Sequence, residues 1–152
     1  MKTPETEQEV FTALAAECAR REHSSGEMLQ KMKKWGFGDE QTRARVIARL
    51  VREKYVDDER FARFFISDKI KFNKWGRKKI EQALWAKGVS EDISRPQLDN
   101  IDKETYLEVL RPLIKSKRKS IKGGDDYEIR NKLIRFALGR GFELDLIMRC
   151  LE

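Results

Sequence analysis

Three glycine-plus-hydrophobic pairs, Gly36-Phe37, Gly88-Val89 and Gly141-Phe142, stand 52 and 53 residues apart in a chain of 152 residues. Each closes a short apolar pattern with helical spacing. Met28 and Met32, Ile80 and Leu84, and Leu133 and Ala137 precede their glycines by eight and four residues, on one helical face each time. Glycine suits the end of such a run because the residue after a helix often turns left-handed, a conformation that only glycine takes without steric cost. Matched positions at a fixed period predict one helical unit used three times. Each copy then buries its apolar side partly against its neighbours, which predicts an extended surface rather than a compact pocket.

Reading outward from the glycines gives helices almost throughout. Thr6 and Glu9 are spaced as a capping box ahead of Val10, Phe11, Leu14, Ala15 and Cys18, and Ser24 with Glu27 opens a second helix through Met28, Leu29 and Met32 to Trp35. Asp39 caps a third that carries Val46, Ile47, Leu50 and Val51. The second unit opens at Tyr55-Val56-Asp57-Asp58, a staple and cap for a helix bearing Phe61, Ala62, Phe65, Ile66, Lys69 and Phe72. Its next helix runs from about Gly76 to Lys87, and Ser90 caps another in which Pro96 must lie in the first turns or break the helix. The third unit begins near Asp102 with Tyr106, Leu107, Leu110, Leu113 and Ile114, and Pro112 predicts a kink or a restart there. Asp125 with Glu128 starts the following helix, and residues 143–151 form the last. No period-two strand pattern is present. The expected fold is all-α, three tandem three-helix repeats over residues 1–54, 55–101 and 102–152.

Charge is distributed unevenly. The net charge is +7, yet Lys69, Lys71, Lys74, Arg77, Lys78 and Lys79 share their run with no acid, and neither do Arg111, Lys115, Lys117, Arg118, Lys119 and Lys122. Both runs lie where a first helix gives way to a second, the place held in the first unit by Arg20, Arg21 and His23. Recurring cationic clusters suit a recurring acidic partner, such as a nucleic-acid backbone or a protein filament on nucleic acid. Trp35, Trp75 and Trp85 fall in or beside second helices. Trp75 can stack on a base, although packing between repeats explains a helical Trp at least as well.

Catalytic chemistry finds little support. His23 has no partner at metal-ligand spacing, and Ser24-Ser25 lacks the glycines of a nucleophile elbow. Gly36-Phe37-Gly38 and Gly123-Gly124 do not extend into phosphate-binding fingerprints. Asp57-Asp58 is explained by capping and the helix dipole. No catalytic residue, metal or cofactor is expected. Cys18 and Cys150 lie in apolar helical patterns and read as buried thiols. No membrane-length apolar run and no leader pattern are found, so a cytoplasmic protein away from membranes is expected.

Arg20-Arg21-Glu22-His23-Ser24 with Glu27-Met28-Leu29, then Tyr55-Val56-Asp57-Asp58-Glu59-Arg60-Phe61-Ala62, then Gly76, Ile80, Leu84, Lys87 and Gly88, resemble the RecX family of RecA regulators. The likeness is strong from about residue 15 to 90 and looser beyond Ser90. It implies an elongated, curved array of three helical repeats without catalytic activity of its own. It also implies association with the RecA filament on single-stranded DNA, in its groove, and suppression of ATPase, strand-exchange and coprotease functions. Tyr55, Asp57, Asp58, Phe61, Ala62, Gly76, Lys87 and Gly88 then read as architectural. For the RecA or DNA contacts that the resemblance implies, charge and position rather than a family contact list nominate Arg20, Arg21, Lys69, Lys71, Lys74, Arg77, Lys78, Lys79, Lys115, Arg118 and Lys119, with the contacts made by a monomer. Two other classes stay open: a stand-alone helix-turn-helix-like DNA-binding protein, with Gln41, Arg43 and Arg45 as a poor reading face, and a helical-repeat adaptor for acidic proteins.

Overall fold

The computed structural model describes residues 2–152, and among them the secondary structure is nine α-helices and one π turn, without a strand. The helices are α1 (Glu7–Arg20), α2 (Ser25–Lys34), α3 (Glu40–Arg52), α4 (Asp58–Asp68), α5 (Arg77–Ala86), α6 (Glu91–Asp99), α7 (Lys103–Ser120), α8 (Asp126–Gly139) and α9 (Leu144–Leu151). Their starts follow the caps read from sequence. Thr6 and Ser24 each close a full capping box, and Asp39, Asp102 and Asp125 accept the amide of the residue three places on.

The three glycines end α2, α5 and α8 in the same way. Gly36, Gly88 and Gly141 have φ of 67°, 76° and 97°. Phe37, Val89 and Phe142 donate their amides to Met32, Leu84 and Ala137 at 3.0, 3.1 and 3.2 Å. The glycine amides reach Lys33, Trp85 and Leu138 at 3.0, 2.9 and 2.9 Å. This double return satisfies carbonyls that a helix end otherwise leaves unpaired. Met28, Met32, Ile80, Leu84, Leu133 and Ala137 are all buried, as their spacing predicts.

The fold divides into two units, one comprising residues up to Arg63 with Leu84–Ser94, the other Phe64–Ala83 with Arg95–Glu152. The division runs through α4, α5 and α6. In the first unit Val10, Phe11, Leu14, Met28, Met32, Val46, Leu50 and Val56 form the core. Each such side chain removed from water stabilises by about 1.5–3 kcal/mol. In the second, Tyr106, Leu107, Leu110 and Ile114 of α7 are buried in a packing that joins α7, α8 and α9, with Leu133, Phe142 and Ile147 also buried.

A glycine contact recurs once in each unit. A Cβ on Gly26, at the start of α2, would lie 2.3 Å from the Lys87 carbonyl oxygen and 2.6 Å from Gly88 Cα. A Cβ on Gly76, just before α5, would lie 2.3 Å from Gly141 C and from Phe142 N. The hydrogen bonds correspond. The Ser24 hydroxyl donates to the Lys87 carbonyl while accepting from the Glu27 amide, and the Gly76 amide donates to the Arg140 carbonyl at 2.7 Å. One helix start is thus seated on another helix's glycine end, backbone against backbone.

Pro96 is the sixth residue of α6, within its first two turns, and does not break it; α7 runs for 18 residues through Pro112, so no helix restarts there. Both prolines are exposed, so a freed carbonyl can bond water, while buried residues on either side hold each helix. Phe72 does not join the buried stripe of α4. That helix widens into a π turn, Lys69–Asn73, which rotates the residues after Ile70, and Phe72 emerges 79% exposed.

Candidate binding surface

The junction between α1 and α2 carries Arg20 and Arg21, and carboxylates neutralise most of its charge. Glu27 Oε2 lies 3.7 Å from Arg21 and 3.3 Å from Lys87. Arg60 pairs with Glu22 at 2.7 Å, and Lys31 pairs with Glu17. His23 is buried with its Nδ1 left without a hydrogen bond, and burial pulls its pKa below the ordinary value, followed by the effect of Arg21. Cys18 reports the local sign: burial, then Glu17, Glu22 and Glu27, push its thiol up to about 11. Three carboxylates here answer all of the neighbouring cations but Arg20.

The junction between α4 and α5 is built differently. The Lys69 carbonyl accepts from both Lys74 N and Trp75 N, and Lys74 closes the π turn in the left-handed region at φ 56°. Trp75 is half-buried, with the Lys69 and Lys79 ammonium groups 5.0 and 4.8 Å from its ring centre. Arg77 is engaged with Asp99 at 2.7 Å. Lys71, Lys74 and Lys78 are exposed and make no ion pair among the described residues.

The end of α7 continues this charge. Lys115, Arg118 and Lys119 are exposed, and Lys117 stands 5.2 Å over the Phe136 ring. A shallow groove here is lined by Lys117, Lys122, Lys132 and Arg135 with Phe136, without a carboxylate. Arg140 lies 5.3 Å from that ring and donates to the Asn73 carbonyl at 3.0 Å, which links the groove to the π turn. In the second unit, then, Arg140 ties the groove beside Phe136 to the π turn that bears Lys71 and Phe72.

Lys132, Arg135 and Arg140 are absent from the sequence nominations. The spacing of Lys132 and Arg135 puts them on one face of α8, which was a usable signal. Arg140 had none, because only tertiary packing sets it between Phe136 and Asn73. Of the tryptophans, Trp35 is half-buried, while Trp85 is 79% exposed, contrary to the packing expected of it.

The motif residues hold the frame. Asp57 accepts from the Arg60 amide at 3.1 Å, and Phe61 and Ala62 are buried. Asp58 accepts from the Ser25 amide and hydroxyl, a tie that capping did not predict. Tyr55 packs its ring edgewise on Phe11 at 5.9 Å. Tyr106 donates to Glu143 and accepts from the Arg77 amide at 2.9 Å; burial and that carboxylate raise its pKa.

A reading face on α3 is poorly served. Arg43 donates to the Phe37 and Gly38 carbonyls, Arg45 pairs with Glu7 at 3.4 Å, and Arg49 covers the Phe11 ring at 3.7 Å. No group of His, Cys, Asp and Glu among the described residues can hold a metal ion, and no described helix is long and apolar enough to cross a membrane.

Repeated three-helix units define a helical-repeat protein, here with exposed cations on its second unit. The chain belongs to the RecX family. Family models described as the RecX second and third three-helix domains match residues 57–95 and 104–151. The Regulatory protein RecX of Prosthecochloris aestuarii is 34% identical over 132 residues, covering 87% of this chain and 84% of the relative. Those of Clostridium botulinum (strain Eklund 17B / Type B) and Clostridium perfringens (strain 13 / Type A) are 37% and 36% identical, over 72% and 78% of this chain. The chain spans only 51% and 56% of those two clostridial relatives. RecX from Lactobacillus salivarius shares the fold at a TM-score of 0.87 and 17% identity, over 95% of this chain and 94% of that one. A second solved structure, of regulatory protein RecX, gives 0.86 and 15%, over 95% and 72%. These relatives are named regulatory proteins, and RecX is not a known enzyme family.

Proposed function

We propose that the protein binds the RecA filament on single-stranded DNA and suppresses RecA's recombinase, ATPase and coprotease activities by stoichiometric occupancy, as a cytoplasmic monomer without a cofactor. The observation that carries this reading is the uncompensated cationic surface of the second unit, from Lys71, Lys74 and Lys78 to Lys117 and Arg135. Such a surface attracts an acidic filament at long range, while apolar and hydrogen-bonded contacts select the partner. Three repeats, bounded near residues 54 and 101, would each present a junction to successive parts of that polymer. Occupancy then holds the filament in a state that turns over ATP poorly or sheds subunits.

The test is DNA-dependent ATP hydrolysis by the cognate RecA as the protein is titrated in. Hydrolysis should fall, and less so at higher salt. Reversing Lys71, Lys74 and Lys78 to Glu should remove the inhibition with helicity and melting unchanged. These three are chosen because Arg77 and Lys79 have internal partners whose loss would confuse the result. Unchanged hydrolysis with the unaltered protein, or full inhibition by the triple variant, would overturn the reading.

A further inference from the structure

The π turn presents an aromatic ring where stability alone gives no reason for one. An exposed Phe forgoes burial, a left-handed Lys is disfavoured by its own Cβ, and a π turn interrupts regular helix bonding. All three fall within Lys69–Lys74. Strain of this kind clusters at sites of function.

The surroundings narrow what the ring can meet. From Lys69 to Lys79 there is no acidic side chain, and Lys71 and Lys74 flank Phe72 in the chain with Lys78 close beyond the turn. Trp75, the aromatic residue suggested by sequence, is half-buried between two ammonium groups, which leaves Phe72 as the open ring of this segment. A flat apolar face with cations before and after it in the chain matches a nucleobase with a phosphate before and after it in its strand. The base must be unpaired, since in a duplex each base face is covered by its neighbours.

We propose that Phe72 is a stacking platform for one base of single-stranded nucleic acid, with Lys71 and Lys74 taking the adjacent phosphates. The inference rests on the reading that single-stranded DNA is contacted in the complex. It turns that contact into one with a base as well as with the backbone.

The experiment uses the full chain and two labelled oligonucleotides of equal length, oligo(dT) and an abasic deoxyribose-phosphate strand, without RecA. Unaltered protein should bind oligo(dT) about tenfold more tightly, the size of one stacked base. Phe72→Ala should reduce oligo(dT) affinity to the abasic level and leave abasic binding unchanged, while Phe72→Trp restores the preference. Equal affinity of the unaltered protein for both strands would overturn the proposal, as would Phe72→Ala binding oligo(dT) like the unaltered chain. If strand binding shows no base preference but Phe72→Ala no longer inhibits RecA hydrolysis, the ring seats in a protein pocket and stacking is wrong. The RecA assay on unaltered protein judges the functional reading separately, because the oligonucleotide preference is measured in its absence.

Discussion

The α1–α2 and α4–α5 junctions occupy equivalent places in their repeats and share a frame, yet the cations of the first are mostly paired and those of the second mostly are not. In each, a glycine at the helix start lies against a glycine-ended turn, with Gly26 on Gly88 and Gly76 on Gly141. Around the first, Glu17, Glu22 and Glu27 answer the cations, and His23 is buried. Around the second, Lys71, Lys74 and Lys78 stand unanswered beside an exposed ring. The frame is restricted because backbone meets backbone and no side chain fits between. The rim has no such restriction, and its cations can be paired or left open. A repeated fold therefore ensures repeated geometry, not a repeated function.

The largest effect should come from breaking the shared frame. Gly26→Ala and Gly76→Ala each force a Cβ to within 2.3 Å of backbone, and each should cost about 3 kcal/mol or more, read by chemical denaturation. A small cost at one site only would show that the two frames are not equivalent. Next come the rims. Reversing Lys71, Lys74 and Lys78 to Glu should weaken single-strand binding by about tenfold or more, with a shallower salt slope. Arg20→Glu with Arg21→Glu should change it by less than about twofold, because only Arg20 is free of a carboxylate there. Equal losses would mean that both junctions bind.

A third contrast is between Lys54 and Lys74, both left-handed with φ of 64° and 56°. Replacing either with Gly relieves a penalty of about 1 kcal/mol. Both variants should melt higher, but only Lys74→Gly should also bind nucleic acid more weakly, since Lys54 merely ends α3. The smallest effect concerns pH. The folded pKa of His23 lies below 6.5, so the stability its neutral ring contributes is complete above about that pH and is lost as pH falls through the folded value. His23→Gln should therefore lose less melting temperature than the unaltered chain between pH 7.5 and 5. Parallel curves would show that His23 does not contribute to the acid loss.

Much of the frame was legible because its signals are local. A Ser or Asp cap, a pair of apolar residues eight and four places before Gly, and the Gly itself act within a dozen residues. They gave α1–α3, α5, α7–α9 and the starts of α4 and α6. Sequence could not decide whether Pro112 restarts its helix, because propensity is local while the cost of a lost bond depends on what lies opposite it, and Pro96 and Pro112 face outward. Phe72 was misplaced for a similar reason: one widened turn shifts the phase of every later residue, and no residue type marks it.

Charge needed the third dimension most. The acid-free runs at Lys69–Lys79 and Arg111–Lys122 were visible as text, as were the glutamates near Arg21. Sequence alone determined the helical repeat, its glycine-ended second helices and the family likeness, because these depend on neighbours along the chain. Tertiary structure decided which cations are neutralised, that Arg140 joins Phe136 to Asn73, and that Phe72 rather than Trp75 faces outward. The physical reason is that Coulomb energy and burial follow distance in space, which packing sets.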